Sequence, residues 1–388
     1  MTKLHIALVT ETYAPEINGV AMTLSRWVKG LNDRGHSLEL WRPQPLQDSP
    51  PQCGDALTEH RVPGFSLPMY PELRIGRPAG GQLAARWGTR RPDLLYIATE
   101  GPLGWSALRA ARRLGIPIVS GFHTRFDRYT GHYRLGLFMP LVRRYLRRFH
   151  NATALTLAPT PQLRDTLASE GFGRIAVIPR GVDTDLFTPA RRNAALRRHW
   201  GLDDGQLAVL CVGRLAPEKN LEEAIWAFRA LQAVQPAARL IMVGDGPQRA
   251  ALEAAHPDIV FAGMQQGTAL AEHYASADLF LFPSRTETFG NVTLEAMASG
   301  LPVVAFDDAA AALHLRHRAT GMLVPNAGPS RFADAARELA SDAQLRSRLG
   351  HAARAYAENI GWEPVVMDLE ALFIRCARRG TTPAAPCR

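Results

Sequence analysis

The sequence predicts an α/β protein made of two doubly wound, parallel-sheet domains, and three observations carry that prediction. Short apolar runs alternate with amphipathic helical patterns along nearly all of the 388-residue chain, and such alternation builds βαβ units around a parallel sheet. The alternation pauses once, at "GVDTDLFTP" (181–189), and then restarts. A chain of this length also exceeds what one ordinary core organises, so two domains of similar size are expected.

In the first half the strand candidates are "LHIALVT" (4–10), "SLELW" (37–41), "DLLYIA" (93–98), "IPIVSGF" (116–122), "ATALTLA" (152–158) and "RIAVIP" (174–179). Helical patterns fill 20–34, 103–114, 137–149 and 161–170. After the pause come "LAVLCVGR" (207–214), a helix at 218–234, "ARLIMVGD" (238–245), a helix at 247–255, "DIVFAG" (258–263), "ADLFLFPS" (277–284) and "LPVVAF" (301–306). Residues 329–379 read as helical throughout. The domains are drawn at 1–188 and 189–360, with 361–388 a helix crossing back to the first domain plus a loose tail. Ligands of such sheets bind at the carboxyl ends of strands, so the cleft between two such domains is the expected active site.

Composition narrows the function classes. With 46% hydrophobic and 21% charged residues the chain is globular rather than disordered. A formal charge of +9 favours an anionic partner: a nucleotide, a phospholipid head group or a nucleic acid. The four cysteines, Cys53, Cys211, Cys376 and Cys387, have no metal or redox spacing, which suits a reducing cytosol. The chain enters a strand pattern at once, and no apolar run approaches the roughly 18 residues of a membrane span. A cytoplasmic protein is expected, one able to visit the inner face of the membrane.

Candidate chemistry gathers in the loops after strands. Gly19, in "TETYAPEINGV", precedes a helix. A glycine there lets backbone N–H groups approach an anion, though it equally serves a plain turn. No G-x-G-x-x-G follows a strand and no G-x-x-x-x-G-K-[ST] occurs, so neither fingerprint applies. In "VGRLAPEKN" Arg214 stands at a strand end and Lys219 at the start of the next helix. Fixed cations there stabilise a departing diphosphate.

The stretch "RTETFGNVTLEAMASG" (285–300) places Glu287 on a loop and Glu295 on the helix after it, around Phe289-Gly290. Asn291 is the expected cap. The N–H groups from Gly290 through Asn291 and Val292 to Thr293 would point at an anion. A carboxylate at Glu295 suits a ribose diol, and one at Glu287 suits the hydroxyls of a sugar. Alone, the same pair also fits a capped helix with one solvated acid. A nucleotide base is expected near Ala262 to Gln265, against Gly263 and Met264, after "DIVF".

Two further segments matter. "GFHTRFDRYTGHY" puts His123 at a strand's carboxyl end, with Arg125 and Asp127 in the same loop, where location assigns them to the acceptor. In "FMPLVRRYLRRF" (138–149), Phe138, Leu141, Val142, Tyr145, Leu146 and Phe149 fall on one helical face and Arg143, Arg144, Arg147 and Arg148 on the other. Such a helix packs on a sheet with its arginines in water, and the arginines suit anionic lipid head groups. Asp183 and Asp185 form a D-x-D, but at the domain junction rather than in a catalytic sheet. No metal is expected.

Together "GRLAPEKN", "VGDGP", "PSRTETFGNVTLEAMASGLPVVA" and "GVDTDLF" resemble the retaining glycosyltransferases of family four, which have the GT-B fold of two Rossmann-like domains. The resemblance covers nearly the whole chain and is strongest over 205–306. Glu287 and Glu295 match that family's E-x7-E motif. The resemblance implies that Arg214 and Lys219 hold the donor diphosphate, Glu295 the ribose, Glu287 the hydroxyls of the transferred sugar, and Gly19 the phosphates. His123 would contact the sugar near the reacting centre. The family often has Gly-Gly where this chain has Asn18-Gly19.

"ATEGPLGWSALRAARRLGIP" and "NVTLEAMASGLPVVAFDDAAA" resemble members that glycosylate membrane lipids, both GDP-mannose-dependent and diacylglycerol types. The expected activity is transfer of a hexose from a UDP- or GDP-sugar to a hydroxyl of a diacylglycerol-type lipid. His123, Glu287, Arg214 and Lys219 are the catalytic set, with no cofactor. A soluble sugar or polysaccharide precursor is the alternative acceptor. A nucleotide- or nucleic-acid-binding module is the rival class, but it calls for aromatics among the exposed basic residues.

Overall fold

The structure is a computed structural model that describes residues 2–46, 50–51, 54, 56–67, 70–123, 139–203, 205–285, 287–325 and 330–380. Two compact units emerge. One holds the described residues up to Arg180 together with those from Glu363 onward; the other spans Gly181–Trp362. The linker segment "GVDTDLF" therefore opens the second unit.

In the first unit the described elements are β1 (His5–Val9), α1 (Gly19–Asp33), β2 (Ser37–Pro43), β3 (Leu57–Val62), β4 (Gly64–Leu67), β5 (Tyr70–Gly76), α2 (Gly80–Thr89), β6 (Leu94–Ile97), α3 (Pro102–Arg113), β7 (Ile118–Gly121), α4 (Met139–Asn151), β8 (Leu155–Ala158), α5 (Pro161–Ser169) and β9 (Ile175–Val177). Seven of the described strands form a parallel sheet in the order β3-β2-β1-β6-β7-β8-β9, and β4 and β5 form an antiparallel ribbon. Helix starts carry their chemistry locally. Asn18 accepts from the Val20 and Ala21 N–H groups at 3.1 and 2.9 Å, and Thr160 caps α5 ahead of Pro161. The buried stripe Leu24, Trp27, Val28 and Leu31 docks α1.

The second unit runs α6 (Ala194–His199), β10 (Ala208–Val212), α7 (Leu221–Gln232), β11 (Arg239–Val243), α8 (Arg249–Ala255), β12 (Val260–Gly263), α9 (Gly267–Ser276), β13 (Leu279–Phe282), α10 (Asn291–Ala298), β14 (Val303–Phe306), α11 (Ala309–His314), β15 (Met322–Val324), α12 (Ser330–Ser341) and α13 (Ala343–Ala357). Its described strands form a parallel sheet in the order β12-β11-β10-β13-β14-β15, the doubly wound order of a dinucleotide fold. Apolar side chains cover both faces of this sheet, as an all-parallel sheet requires. The last helix, α14 (Trp362–Gly380), returns to the first unit. There Glu370 accepts from Arg34 Nε at 2.6 Å and pairs with His36 Nε2 at 2.9 Å.

One helix departs from expectation. Only Leu146, Phe149 and His150 of α4 are buried. Leu141 is 66% and Tyr145 39% exposed, so the expected apolar face is not wholly against the sheet. The reason is that α4 docks by its last two turns, where Leu146 joins Phe122, Ala158, Leu163 and Phe172.

Candidate active site

Each sheet reverses its strand order once, between β1 and β6 in the first unit and between β10 and β13 in the second. Ligands of open α/β sheets bind at the carboxyl ends of the strands at that point. Gly19 follows β1, Arg214 and Lys219 follow β10, and Glu287 follows β13.

In the second unit, β10 and β13 pair through Val209 with Leu279 and Leu210 with Phe280, so the loops leaving them are neighbours. After β10 comes Arg214, half-buried, then a 3-10 turn, Pro217–Lys219, and Asn220 with φ +51 before α7. Lys219 Nζ donates to a Glu287 oxygen. Four residues further on, Glu223 accepts from Arg285 Nη2 on both oxygens at 2.8 Å. Arg285 also lies over the Phe306 ring, 4.2 Å from its centre, where a guanidinium is attracted by the ring's negative face. Asn220 Nδ2 reaches the Pro283 carbonyl at 3.3 Å. The loops are thus joined by two ion pairs of opposite polarity, which penalise any slip of one loop along the other by setting like charges together.

The loop after β13 closes at Gly290, whose φ of +90 is open to glycine at little cost. Gly290 itself is the N-cap of α10 and no side chain caps it. The expected Asn291 cap is therefore corrected: the left-handed turn at Gly290 makes Asn291 the first helical residue, ahead of the half-buried Val292. Phe289 is only 1% exposed and its ring meets His314 edge-on at 5.9 Å, so its ring belongs to the core. Glu295 sits in the second turn of α10, buried, and accepts from the Tyr274 hydroxyl at 3.0 Å. Burial pushes its carboxyl up to about 7, and the Tyr274 bond opposes part of that rise.

The loops after β10, β11 and β12 also touch. Gly213 N–H donates to Val243 O at 3.0 Å and Gly244 N–H to Gly263 O at 2.8 Å. A side chain at Gly244 would collide with the Gly213 carbonyl. Gly263 has φ +69, and Met264 beyond it is 46% exposed. Both stand at the carboxyl end of the edge strand β12.

In the first unit, Gly19 is the first residue of α1. Asn18 already takes the N–H groups of Val20 and Ala21, so little of this helix end is left for an anion. Arg180 Nη1 donates to the Gly19 carbonyl at 3.3 Å. His123, buried just past β7, shares a 2.6 Å hydrogen bond between its Nε2 and the Tyr96 hydroxyl. Burial, then Arg180, then His150 push its imidazole down to about 3, so it is neutral at physiological pH. Neither Tyr96, Tyr274, Arg285 nor Glu223 was marked by the sequence, because nothing in its patterning separates such tyrosines and ion pairs from ordinary core and surface. Arg125 and Asp127 lie outside the described residues. Arg143, Arg144, Arg147 and Arg148 are exposed on α4. Asp183 of the D-x-D accepts the Leu186 N–H at 3.0 Å in a turn. No described helix is long and apolar enough to cross a membrane.

Two doubly wound units, one with a cation–carboxylate pair at its switch point, are the frame of a GT-B glycosyltransferase. Residues 17–186 match the model described as Glycosyltransferase Family 4, and residues 206–342 that of Glycosyl transferases group 1. A GDP-mannose-dependent alpha-mannosyltransferase of Mycobacterium tuberculosis is 34% identical over 99% of this chain and 100% of its own. The chain belongs to the retaining glycosyltransferases of family four and is a hexosyltransferase using a nucleotide sugar. An alpha-monoglucosyldiacylglycerol synthase of Streptococcus pneumoniae is 26% identical over 78% of this chain and 71% of its own. Sucrose-phosphate synthase from Thermosynechococcus elongatus shares the fold, with a TM-score of 0.81 at 19% identity over 97% of this chain and 100% of that one.

Proposed function

We propose that this enzyme transfers a hexose from a UDP- or GDP-sugar to a hydroxyl of a diacylglycerol-type membrane lipid, with retention at the anomeric carbon. The observation that carries the donor half is the meeting of Lys219 with Glu287 at the β10–β13 switch point, with the buried Glu295 on the helix that follows. Lys219 and Arg214 neutralise the diphosphate as it departs. Glu287 accepts hydroxyls of the transferred sugar, Glu295 accepts the ribose diol, and the main chain at Gly290, Asn291 and Val292 faces phosphate. The base packs against Gly263 and Met264. The departing phosphate oxygen helps remove the acceptor proton, so no carboxylate nucleophile is needed. The family resemblance adds His123 as a sugar contact and Gly19 as a phosphate contact.

The lipid acceptor is supported by the name of the S. pneumoniae relative and by α4, whose exposed face carries Leu141 and Tyr145 among arginines. The M. tuberculosis relative's name favours GDP-mannose as donor, and a soluble sugar or polysaccharide precursor is the second acceptor reading. A panel of UDP-glucose, UDP-glucuronate, UDP-galactose and GDP-mannose against diacylglycerol, phosphatidylinositol and soluble sugars, read by mass, separates these readings. Product only on soluble sugars ends the lipid reading. A Glu287→Ala variant with unchanged donor hydrolysis and transfer would remove the sugar contact from the account.

A further inference from the structure

We propose that Tyr96 is a positioning residue that fixes His123 in its Nδ1–H tautomer, giving the site one aimed hydrogen-bond donor for an oxygen of the bound donor substrate. The inference rests on the reading of His123 as a contact to the transferred sugar, and it names which atom makes that contact and what holds it ready.

Tyr96 lies in β6 and is 0% exposed; its hydroxyl meets His123 Nε2 at 2.6 Å. His123 Nδ1 is buried and has no partner among the described residues. Trp27 packs against both rings, its centre 5.6 Å from that of Tyr96 and 5.9 Å from that of His123. Space for the bond is made by Gly121, where a Cβ would collide with the Tyr96 hydroxyl and press on the imidazole. A glycine, a buried phenol and a buried imidazole thus converge on one hydrogen bond.

The direction of that bond follows from counting unpaired groups. A proton on Nε2 would leave the Tyr96 hydroxyl hydrogen and the Nδ1 lone pair both buried without partners. A proton on Nδ1 lets Tyr96 donate to Nε2 and leaves one orphan, the Nδ1–H. Each buried unpaired polar group costs free energy, so the second arrangement is the lower. The doubly protonated ring is not a competitor, since burial and the nearby Arg180 and His150 hold the imidazole neutral. Tyr96 keeps its own proton, its ionisation pushed far up by burial and by Glu100. The orphan Nδ1–H needs an acceptor, and a sugar hydroxyl or phosphate oxygen supplies one.

The test is a long-range proton–nitrogen correlation spectrum of the full chain labelled with 15N-histidine, with His123 assigned by its loss in His123→Ala. The expected His123 pattern is a pyrrole-type Nδ1 and a hydrogen-bonded pyridine-type Nε2. Tyr96→Phe removes the donor and Gly121→Ala wedges the pair apart. Both are expected to lose that pattern and to lower kcat/KM by on the order of 10-fold, as partners that orient a functional histidine do. A native spectrum with the proton on Nε2, or an unchanged pattern in both variants, overturns the tautomer assignment whatever the activity. Unchanged transfer in His123→Ala overturns the sugar contact itself, and with it the role given to Tyr96, even where the spectrum matches.

Discussion

The Tyr274 hydroxyl donates to Glu295 across 3.0 Å in the buried interior of the second unit. That one bond leaves much of the desolvation of the acid uncompensated, and its carboxyl is raised from 4.5 to about 7. Between those values the folded chain holds a proton that the unfolded chain releases, so unfolding free energy falls as pH rises. The protonated acid's advantage is full below 4.5 and gone above about 7. Glu11, raised mainly by burial to about 7, adds the same sign in the first unit. Urea midpoints measured across this window should decline with pH, and less steeply in Glu295→Gln. Nucleotide binding should run the other way. Only the ionised carboxylate accepts both ribose hydroxyls, so calorimetric affinity for UDP or GDP should rise toward pH 7. In Glu295→Gln it should be flat with pH and about 10-fold weaker, the worth of a hydrogen bond or two.

Lys219 and Glu287 are paired with each other, yet each is assigned a different part of the donor. Truncating one therefore does two things: it removes a substrate contact and leaves its partner without an opposite charge. Lys219→Met should lower kcat/KM by about 100-fold, the scale of one electrostatic contact to a developing charge. The double variant Lys219→Met/Glu287→Gln should lose clearly less than the product of the two single losses, because neighbouring charges couple. Strict additivity in that cycle would mean that the pair does not act together.

Much of this architecture was legible in the sequence, because buried parallel strands read as apolar runs and the helices between them carry amphipathic periods. β1, β6, β10 and β13 fall inside the runs that announce them, so the runs also mark the switch-point loops. What stayed hidden had physical reasons. β3 reads "LTEHRV", which has charged side chains where a buried strand shows an apolar run. They serve inside the unit, where Glu59 lies 2.8 Å from Arg61 and 3.6 Å from Arg42. α2 opens on Gly80-Gly81, a helix-poor start that is overridden by the burial of Leu83 and Trp87. The site acids are visible through their spacing, but Tyr274 and Tyr96 are not, since a buried tyrosine shows its purpose only when its partner in the fold is known.

The Arg285–Glu223 pair holds the loop of Glu287 against the helix that follows Lys219. Arg285 is 29% and Glu223 12% exposed, so the pair is only partly screened and contributes about 1 kcal/mol to stability. Its larger effect should fall on the donor site. Arg285→Glu sets two acids together and should raise the KM for donor several-fold. Adding Glu223→Arg restores the pairing with reversed polarity and should recover most of that loss. Steady-state kinetics on the three variants check this. Failure of the swap to rescue would show that the Phe306 stacking, not the ion pair, holds the loop.

The exposed face of α4 carries Leu141, Arg144, Tyr145 and Arg148 at helical spacing. The Tyr145 hydroxyl donates to the Glu100 carbonyl, and the charge on this face comes from the arginines. A basic residue near an anionic bilayer contributes about 1 kcal/mol, and the attraction fades within a Debye length. Co-sedimentation with phosphatidylglycerol vesicles should therefore exceed that with phosphatidylcholine and weaken with added salt. Neutralising both positions, Arg144→Gln/Arg148→Gln, should weaken partition by on the order of 30-fold, the equivalent of about 2 kcal/mol. Hydrolysis of donor in the absence of acceptor should stay unchanged, because neither arginine belongs to the donor site. Equal binding of the parent chain to both vesicle types would remove α4 from the lipid-facing surface and shift the acceptor reading toward a soluble sugar.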